Sequence, residues 1–427
     1  MKIPSPSVNR TVFKFLLVAA LGFACCCRTV SAAAITLTAT DASNTSSFNA
    51  AGNWSDGLAP SAANDYVVSS GFALRTPITS YVSYIFQGKS LTLNGNAVLA
   101  WKLALGAPTI TVNDLRLDNG IFSNSNNNYT ATLNGNVTLS AGGGTFDTPS
   151  ADRAMVVNAL VSGTGNLTVK SSATAGGNTT LTNANNSYTG NTVISTGAIM
   201  NIGSAGRLGN GTYAGTIANS GAFVYKSSAN QVLSGSISGT GTLTQSGAGT
   251  LTLNNTNSYN GTTTVSAGTL LVSGGGLTAT AGLTVATTSV LELGASNVLN
   301  NTATMTLSGG TFRTGGFSDT IGALTLSNST VSSLDFGSGT SVLLFSGITA
   351  DAGTLNITNW TLGSDSLRFT SNTNLLASRF TVNGGAAAIL DNHSVTGYYE
   401  VVPEPATWAL LAFSLTTVMV LRRRRQQ

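Results

Sequence analysis

The sequence predicts an all-β protein, and three observations support this. Charged residues make up only 8% of the 427 residues, against 42% hydrophobic residues and 49 glycines. Short runs alternate apolar side chains with Thr or Ser, the period of two expected when one face of a strand is buried. Outside the two ends, no run of ten or more residues has the apolar and charged spacing of a helix.

The net charge of +4 comes from the two ends of the chain. Four of the 19 basic residues precede residue 33 and four more lie at 422–425, which leaves eleven basic against all fifteen acidic residues between the ends, a balance of −4. This region offers no basic stripe for phosphates, so we expect no nucleic-acid partner.

Residues 1–32 have the three parts of a secretory signal peptide. Three basic residues precede an apolar run at 15–24, and small residues follow at 30–32, so we predict cleavage between Ala32 and Ala33. All three cysteines lie in this segment, and the exported chain would therefore have no disulfide and no cysteine-ligated metal. The alternative is a lipoprotein acylated at Cys25, which is less well matched because Gly22 stands three positions before it.

The C-terminal end, residues 402–427, also has three parts. The motif Pro403-Glu404-Pro405 precedes an apolar stretch at 406–421. Sixteen helical residues cover roughly 24 Å, which is short of a ~30 Å hydrocarbon core but compatible with local thinning of the bilayer. We predict a single transmembrane helix at 406–421, stopped on the cytoplasmic side by a basic cluster. The cluster consists of Arg422, Arg423, Arg424 and Arg425.

This tail resembles the PEP-CTERM sorting signal of Gram-negative bacteria, which combines the same motif with a short span and a basic end. The resemblance implies an exosortase as processing partner, which would recognise Pro403, Glu404 and Pro405. It also implies a precursor anchored in the inner membrane and a body that reaches the cell surface or the exterior. The alternative is an ordinary membrane anchor whose prolines end an extended linker.

Two sequence patterns recur in the body. Residues 162–168 recur at 238–244, and the motif Asn-Ser-Tyr-x-Gly occurs at both 186–190 and 257–261. These segments resemble the autotransporter-associated β-strand repeat over 163–202 and 239–273. A right-handed parallel β-helix suits such a pattern, because stacked coils share one core and small corner residues let the coils approach. We also expect outward Thr and Asn ladders, with Trp54 and Trp360 closing the core near its ends.

These patterns divide the chain into five regions. The signal peptide is 1–32, and a first β-strand repeat region is 33–160. The repeat solenoid is 161–345, followed by a C-terminal β region and linker at 346–401 and the sorting signal at 402–427.

Few residues are candidates for a catalytic or metal-binding role. His393 is the only histidine, and a solvated loop position is the expected interpretation. Asp114, Arg116 and Asp118 would share one strand face and form a surface salt-bridge row. Four aspartates recur at intervals of sixteen, sixteen and fourteen residues; a Ca²⁺ site is one interpretation, and solvated corner residues are the expected one. These are Asp319, Asp335, Asp351 and Asp365.

We therefore predict an exported, non-enzymatic surface or matrix protein with no catalytic, cofactor-binding or metal-binding residues. Its role would lie in envelope or exopolysaccharide architecture or in adhesion, with exopolysaccharide as a possible partner. The alternative is a β-helix polysaccharide lyase or hydrolase, which the scarcity of His, Lys and acidic residues disfavours.

Overall fold

The computed structural model describes residues 34–78, 82–102, 108–125, 129–171, 176–327, 330–349 and 353–404. The predicted signal peptide, Pro405, the predicted span 406–421 and the arginine cluster lie outside these residues. In the described part of the chain, no helix combines the length and the apolar character needed to cross a bilayer.

The described chain is a parallel β-solenoid of about 13 turns, which confirms the all-β prediction and the parallel coils; its handedness stays a prediction. The strands form where apolar and polar residues alternate. In Asp65–Val68 and Thr250–Leu253, for example, every second side chain is buried. Inward side chains of successive coils form one continuous core from Leu37 to Val401. Helix is limited, within the described residues, to α1 (His393–Thr396) and two 3-10 turns, Gly209–Gly211 and Ala377–Arg379.

Three sheets form the faces of the solenoid. The first contains sixteen strands: β1 (Ile35–Thr36), β2 (Asp65–Val68), β4 (Tyr84–Ile85), β5 (Ser90–Asn94), β7 (Thr109–Asp118), β9 (Thr130–Leu139), β11 (Ala154–Val157), β12 (Leu160–Gly163), β14 (Gly177–Leu181), β16 (Ala198–Ile202), β19 (Ala222–Tyr225), β22 (Thr242–Gln245), β24 (Thr263–Val265), β26 (Gly282–Ala286), β28 (Thr304–Ser308) and β31 (Leu324–Leu326).

The second sheet contains eight strands: β3 (Ala73–Arg75), β6 (Val98–Trp101), β8 (Gly120–Asn124), β10 (Gly144–Asp147), β13 (Leu167–Lys170), β15 (Thr192–Ile194), β18 (Ile217–Asn219) and β21 (Ile237–Ser238).

The third sheet contains fourteen strands: β17 (Thr212–Tyr213), β20 (Gln231–Leu233), β23 (Thr250–Leu253), β25 (Thr269–Val272), β27 (Val290–Leu293), β29 (Thr311–Arg313), β30 (Asp319–Ile321), β32 (Val331–Asp335), β33 (Val342–Phe345), β34 (Thr354–Thr358), β35 (Ser366–Phe369), β36 (Phe380–Val382), β37 (Gly385–Asp391) and β38 (Tyr399–Pro403).

Trp54 closes the N-terminal end of the core, as predicted. Its ring is 3% exposed and meets Tyr66 edge-on at 4.8 Å between centroids, and its indole N–H donates to the Ser47 carbonyl. Below it, Tyr66 packs edge-on against Phe86. These aromatic side chains keep water from the first coil.

The C-terminal end is closed by an antiparallel hairpin, which the sequence did not predict. Strand β37 pairs with β36, and β38 pairs with both β37 and β35. The third sheet contains two runs of parallel strands, a long run that begins with β17 and ends with β36 and a short run β30–β33–β35. The hairpin joins these two runs and covers the last strand of each, β36 and β35. Covered edges cannot pair with another chain, so the hairpin removes the edges of β35 and β36 from such association.

Candidate functional site

The recurring Asn-Ser-Tyr-x-Gly motif forms a corner between coils. Asn257 Oδ1 accepts a hydrogen bond from the Ile237 backbone N–H at 2.9 Å, and Asn186 Oδ1 accepts one from Val161 at 3.0 Å. Both asparagines are almost fully buried and bond to backbone. The repeat asparagines thus cap strands of the neighbouring coil, and the expected outward ladder of Asn amides does not form there.

The tyrosine and glycine of the motif also have structural roles. The Tyr259 hydroxyl bonds Thr263 Oγ1 at 2.6 Å, and Tyr188 makes the equivalent bond to Thr192 at 2.8 Å. A Cβ on Gly261 would collide with the backbone carbonyl of Gly241 in the preceding coil. Small corner residues therefore permit the close stacking, as predicted.

The predicted outward Thr ladder is present on the first sheet. Threonines occupy one register position on five successive strands, where they are half-buried by their neighbours. The column continues through a hydrogen bond of 3.1 Å between the hydroxyls of Thr349 and Thr325. The five are Thr244, Thr264, Thr284, Thr306 and Thr325. The outward positions of these five strands carry no charged side chain and are rich in hydroxyl groups.

The expectation of solvated corner aspartates is wrong for Asp319 and Asp365, which are buried. The Asp319 carboxylate accepts backbone N–H groups of Val298, Leu299 and Thr320 at 2.9–3.1 Å. Burial nevertheless raises its pKa to about 6, because desolvation outweighs these bonds. Both carboxylates satisfy backbone donors at coil corners, since Asp365 accepts N–H groups in the same way.

Asp335 belongs to a row of charges across coils. It accepts Arg313 Nε at 3.1 Å and Asn359 Nδ2 at 2.7 Å, and Arg313 also pairs with Glu292. Burial favours a higher pKa for Asp335, but these hydrogen bonds lower it. Asp351 lies outside the described residues. The described aspartates of the series do not converge, and no group of three metal-ligating side chains occurs in the described part of the chain.

The predicted charge row on β7 forms only in part. Arg116 donates to both carboxylate oxygens of Asp114, at 2.6 and 3.2 Å. Asp118 instead accepts the backbone N–H of Gly142 in the next coil. His393 begins α1, and its side chain lies outside the described residues.

The first two residues of the predicted sorting motif lie at the end of the capping hairpin. Pro403 is the last residue of β38, opposite Ala387, and Glu404 donates its backbone N–H to the Ala386 carbonyl at 2.9 Å. The Glu404 side chain is exposed. Pro405 and the four arginines lie outside the described residues, so the structure holds only this part of the predicted site.

One pocket with chemically useful side chains was not predicted. It measures about 230 Å³ and lies on the short parallel run β30–β33–β35 beside the hairpin. Arg368 and Tyr398 meet there, with the guanidinium carbon 5.5 Å from the ring centre. The sequence carried no signal that singles out Arg368, since Arg116 and Arg313 also occupy outward strand positions.

Comparison with known proteins supports the repeat. The family model described as passenger-associated-transport-repeat matches residues 176–199 and 243–272. No curated protein and no solved structure has significant similarity to the chain. Because the matched segments coincide with the stacked corners described above, the repeats and the parallel solenoid together indicate an exported surface protein or an autotransporter-like passenger.

Proposed function

We propose that this protein is an exported, non-enzymatic solenoid that an exosortase releases from an inner-membrane precursor. Outside the cell it serves envelope or exopolysaccharide architecture or adhesion. The observation that carries the proposal is the position of the predicted sorting motif at the very end of the last described strand. Val401 is fully buried and pairs with Leu367 and Ile389, and the motif begins two residues later.

This position makes processing compatible with a stable body. Val401 is the last buried side chain in the described part of the chain, and Glu404 is already exposed. A cut after Glu404 would leave every described strand and the whole described core in place. The body would therefore keep its fold after release from the tail.

The roles of the carboxylates favour structure over catalysis. Asp319 and Asp365 cap backbone N–H groups, and Asp335 is held by Arg313 and Asn359. A lyase or hydrolase would need acidic groups free to meet a substrate or a metal. These three carboxylates are already engaged in bonds that hold neighbouring coils together.

The test compares the C-terminus of the wild-type chain with that of a Pro403→Ala, Glu404→Ala double variant, by mass spectrometry and membrane fractionation. We expect the wild type to lose its tail and leave the inner membrane, and the variant to remain membrane-bound with Gln427 at its end. The backbone bond from residue 404 to Ala386 survives in the variant, so the hairpin should stay intact.

Asp152→Ala is the matched control, because it removes a fully exposed carboxylate far from the motif in sequence. Intact tails ending at Gln427 in both the wild type and the double variant would reduce the motif to part of a plain anchor. Deleting 422–425 provides a companion test: unchanged membrane retention of that variant would contradict the stop-transfer role of the arginines.

A further inference from the structure

We infer that the pocket beside the C-terminal hairpin binds one neutral pyranose unit of a polysaccharide. The inference deepens the proposed function and rests on it for the presence of polysaccharide around the protein. It names a binding site that lies apart from both the repeat corners and the sorting motif.

The floor of the pocket is apolar. Val342 and Leu344 both point outward from β33 and are half-buried. The equivalent outward positions on the first sheet carry threonine over five successive strands. Two adjacent outward aliphatic side chains give a ligand ring a surface on which to bury its C–H face.

The walls supply hydrogen-bonding groups on either side of that floor. Thr320, Leu344 and Arg368 are register partners on three neighbouring strands. Neighbouring strands lie about 4.8 Å apart, so the Thr320 and Arg368 backbones are separated by about 10 Å. Asn297 adds an amide at the rim. A single sugar ring with its hydroxyl groups fits this width.

Arg368 is held in place before any ligand arrives. Its Nε donates to Ser366 Oγ at 2.7 Å, and its guanidinium lies over the Tyr398 ring. The two terminal nitrogens make no hydrogen bond to any described residue, and the side chain is 35% exposed. A fixed guanidinium with free N–H donors binds a hydroxyl or ring oxygen with little loss of conformational entropy.

The charge around the pocket favours a neutral ligand. Arg368 Nε lies 3.8 Å from Glu400 Oε1, so its positive charge is largely balanced. An acidic sugar would be attracted by Arg368 and repelled by Glu400, whereas a hydroxyl gains a hydrogen bond without that repulsion. The volume of about 230 Å³ lies below the ~300–1,000 Å³ of pockets for drug-sized ligands, which fits one ring better than several.

Ligand-observed NMR on the full-length chain tests the proposal. The neutral probes are cellohexaose, maltohexaose, laminarihexaose and mannohexaose, and the acidic probe is hexagalacturonate. We expect saturable binding of at least one neutral probe and weaker binding of the acidic one. No saturable binding of any neutral probe, or preference for the acidic probe, would overturn the inference.

Arg368→Ala should weaken binding at least about tenfold, as expected when hydrogen bonds from a charged donor are lost. Arg313→Ala is the matched control, because Arg313 is similarly exposed at 39% and also ion-paired, but lies on the other parallel run of the sheet. Equal affinity of the Arg368→Ala variant and the wild type would refute the site.

If Arg368→Ala lowers the unfolding temperature, the near-isosteric Thr320→Val variant decides the matter. Loss of the hydroxyl should weaken binding several-fold, and unchanged affinity would exclude the pocket. These binding results are independent of tail processing: an uncut tail with intact sugar binding contradicts the exosortase proposal alone, and a cut tail without sugar binding contradicts the pocket alone.

Discussion

Asn257 accepts the backbone N–H of Ile237, twenty residues earlier in the chain and one coil away. Asn186 does the same for Val161 across twenty-five residues. Both copies of the repeat therefore fix the stacking of neighbouring coils with the same kind of hydrogen bond, although the coils differ in length. A buried backbone donor needs such a partner, because water cannot reach it.

Asn257→Ala should destabilise the solenoid by about 1–3 kcal/mol, because it leaves the buried Ile237 N–H without its acceptor. Chemical denaturation with a fluorescence readout measures the change. Asn260→Ala is the control, since Asn260 is exposed at the same corner, and we expect a change within about 0.5 kcal/mol. Equal effects of the two substitutions would contradict the capping role.

Gly261→Ala should destabilise the protein by about 1–3 kcal/mol, because the added methyl group collides with the Gly241 carbonyl of the preceding coil. Gly347→Ala is a suitable control. Its added methyl group would meet only Ser371, at an ordinary contact distance of 3.6 Å. Thermal unfolding of both variants checks this, and a Gly261→Ala variant as stable as wild type would mean that the coils can separate at the corner without penalty.

The recurring motif made the stacking of coils predictable, since Asn, Tyr and Gly each have one role that repeats with the coil. The Ca²⁺ interpretation of the aspartate series would need acidic residues one coil apart, but the spacing of sixteen between Asp319 and Asp335 is shorter than the twenty to twenty-five residues that separate bonded coil positions. These two aspartates are therefore not in register. Burial of Asp319 depends on backbone donors at 298 and 299, and no local pattern around residue 319 indicates them.

The capping hairpin and the pocket were missed for related reasons. Strand β37 contains three consecutive alanines, so it lacks the alternation by which the other strands were predicted. Arg368 and Tyr398 are thirty residues apart and meet only because β38 pairs antiparallel with β35. Such pairing between distant segments depends on the completed fold and not on either segment alone.

The stability should depend on pH through Asp319. Its pKa is about 6 in the fold against an ordinary value of 3.8, so the folded state holds a proton more tightly than the unfolded state. The contribution of this group to stability is fully present below pH 3.8 and is lost as the pH rises to about 6, by up to about 3 kcal/mol.

Asp319→Asn removes this titration. The free energy of unfolding of the wild type, minus that of the variant, should therefore decrease between pH 4 and pH 7, as measured by denaturation at each pH. Other titrating groups are common to both chains and cancel in this difference. A difference that is constant over the range would show that the pKa of Asp319 is not raised by folding.

The capping hairpin should be necessary for a monomeric solenoid, while residues after Glu404 should not be. A chain that ends at Glu404 retains all the described strands, so we expect a monomer that unfolds at the same temperature as the chain with its tail.

A chain that ends at Asn383 loses β37 and β38 and with them the buried Val401. It exposes the edges of β35 and β36, whose free N–H and C=O groups can pair with another copy. We therefore expect concentration-dependent oligomers or aggregates from the shorter chain, measured by size-exclusion chromatography with light scattering, and a lower unfolding temperature. A stable monomer that ends at Asn383 would show that the hairpin does not protect the solenoid edges, and association of the chain that ends at Glu404 would place part of that protection in the tail.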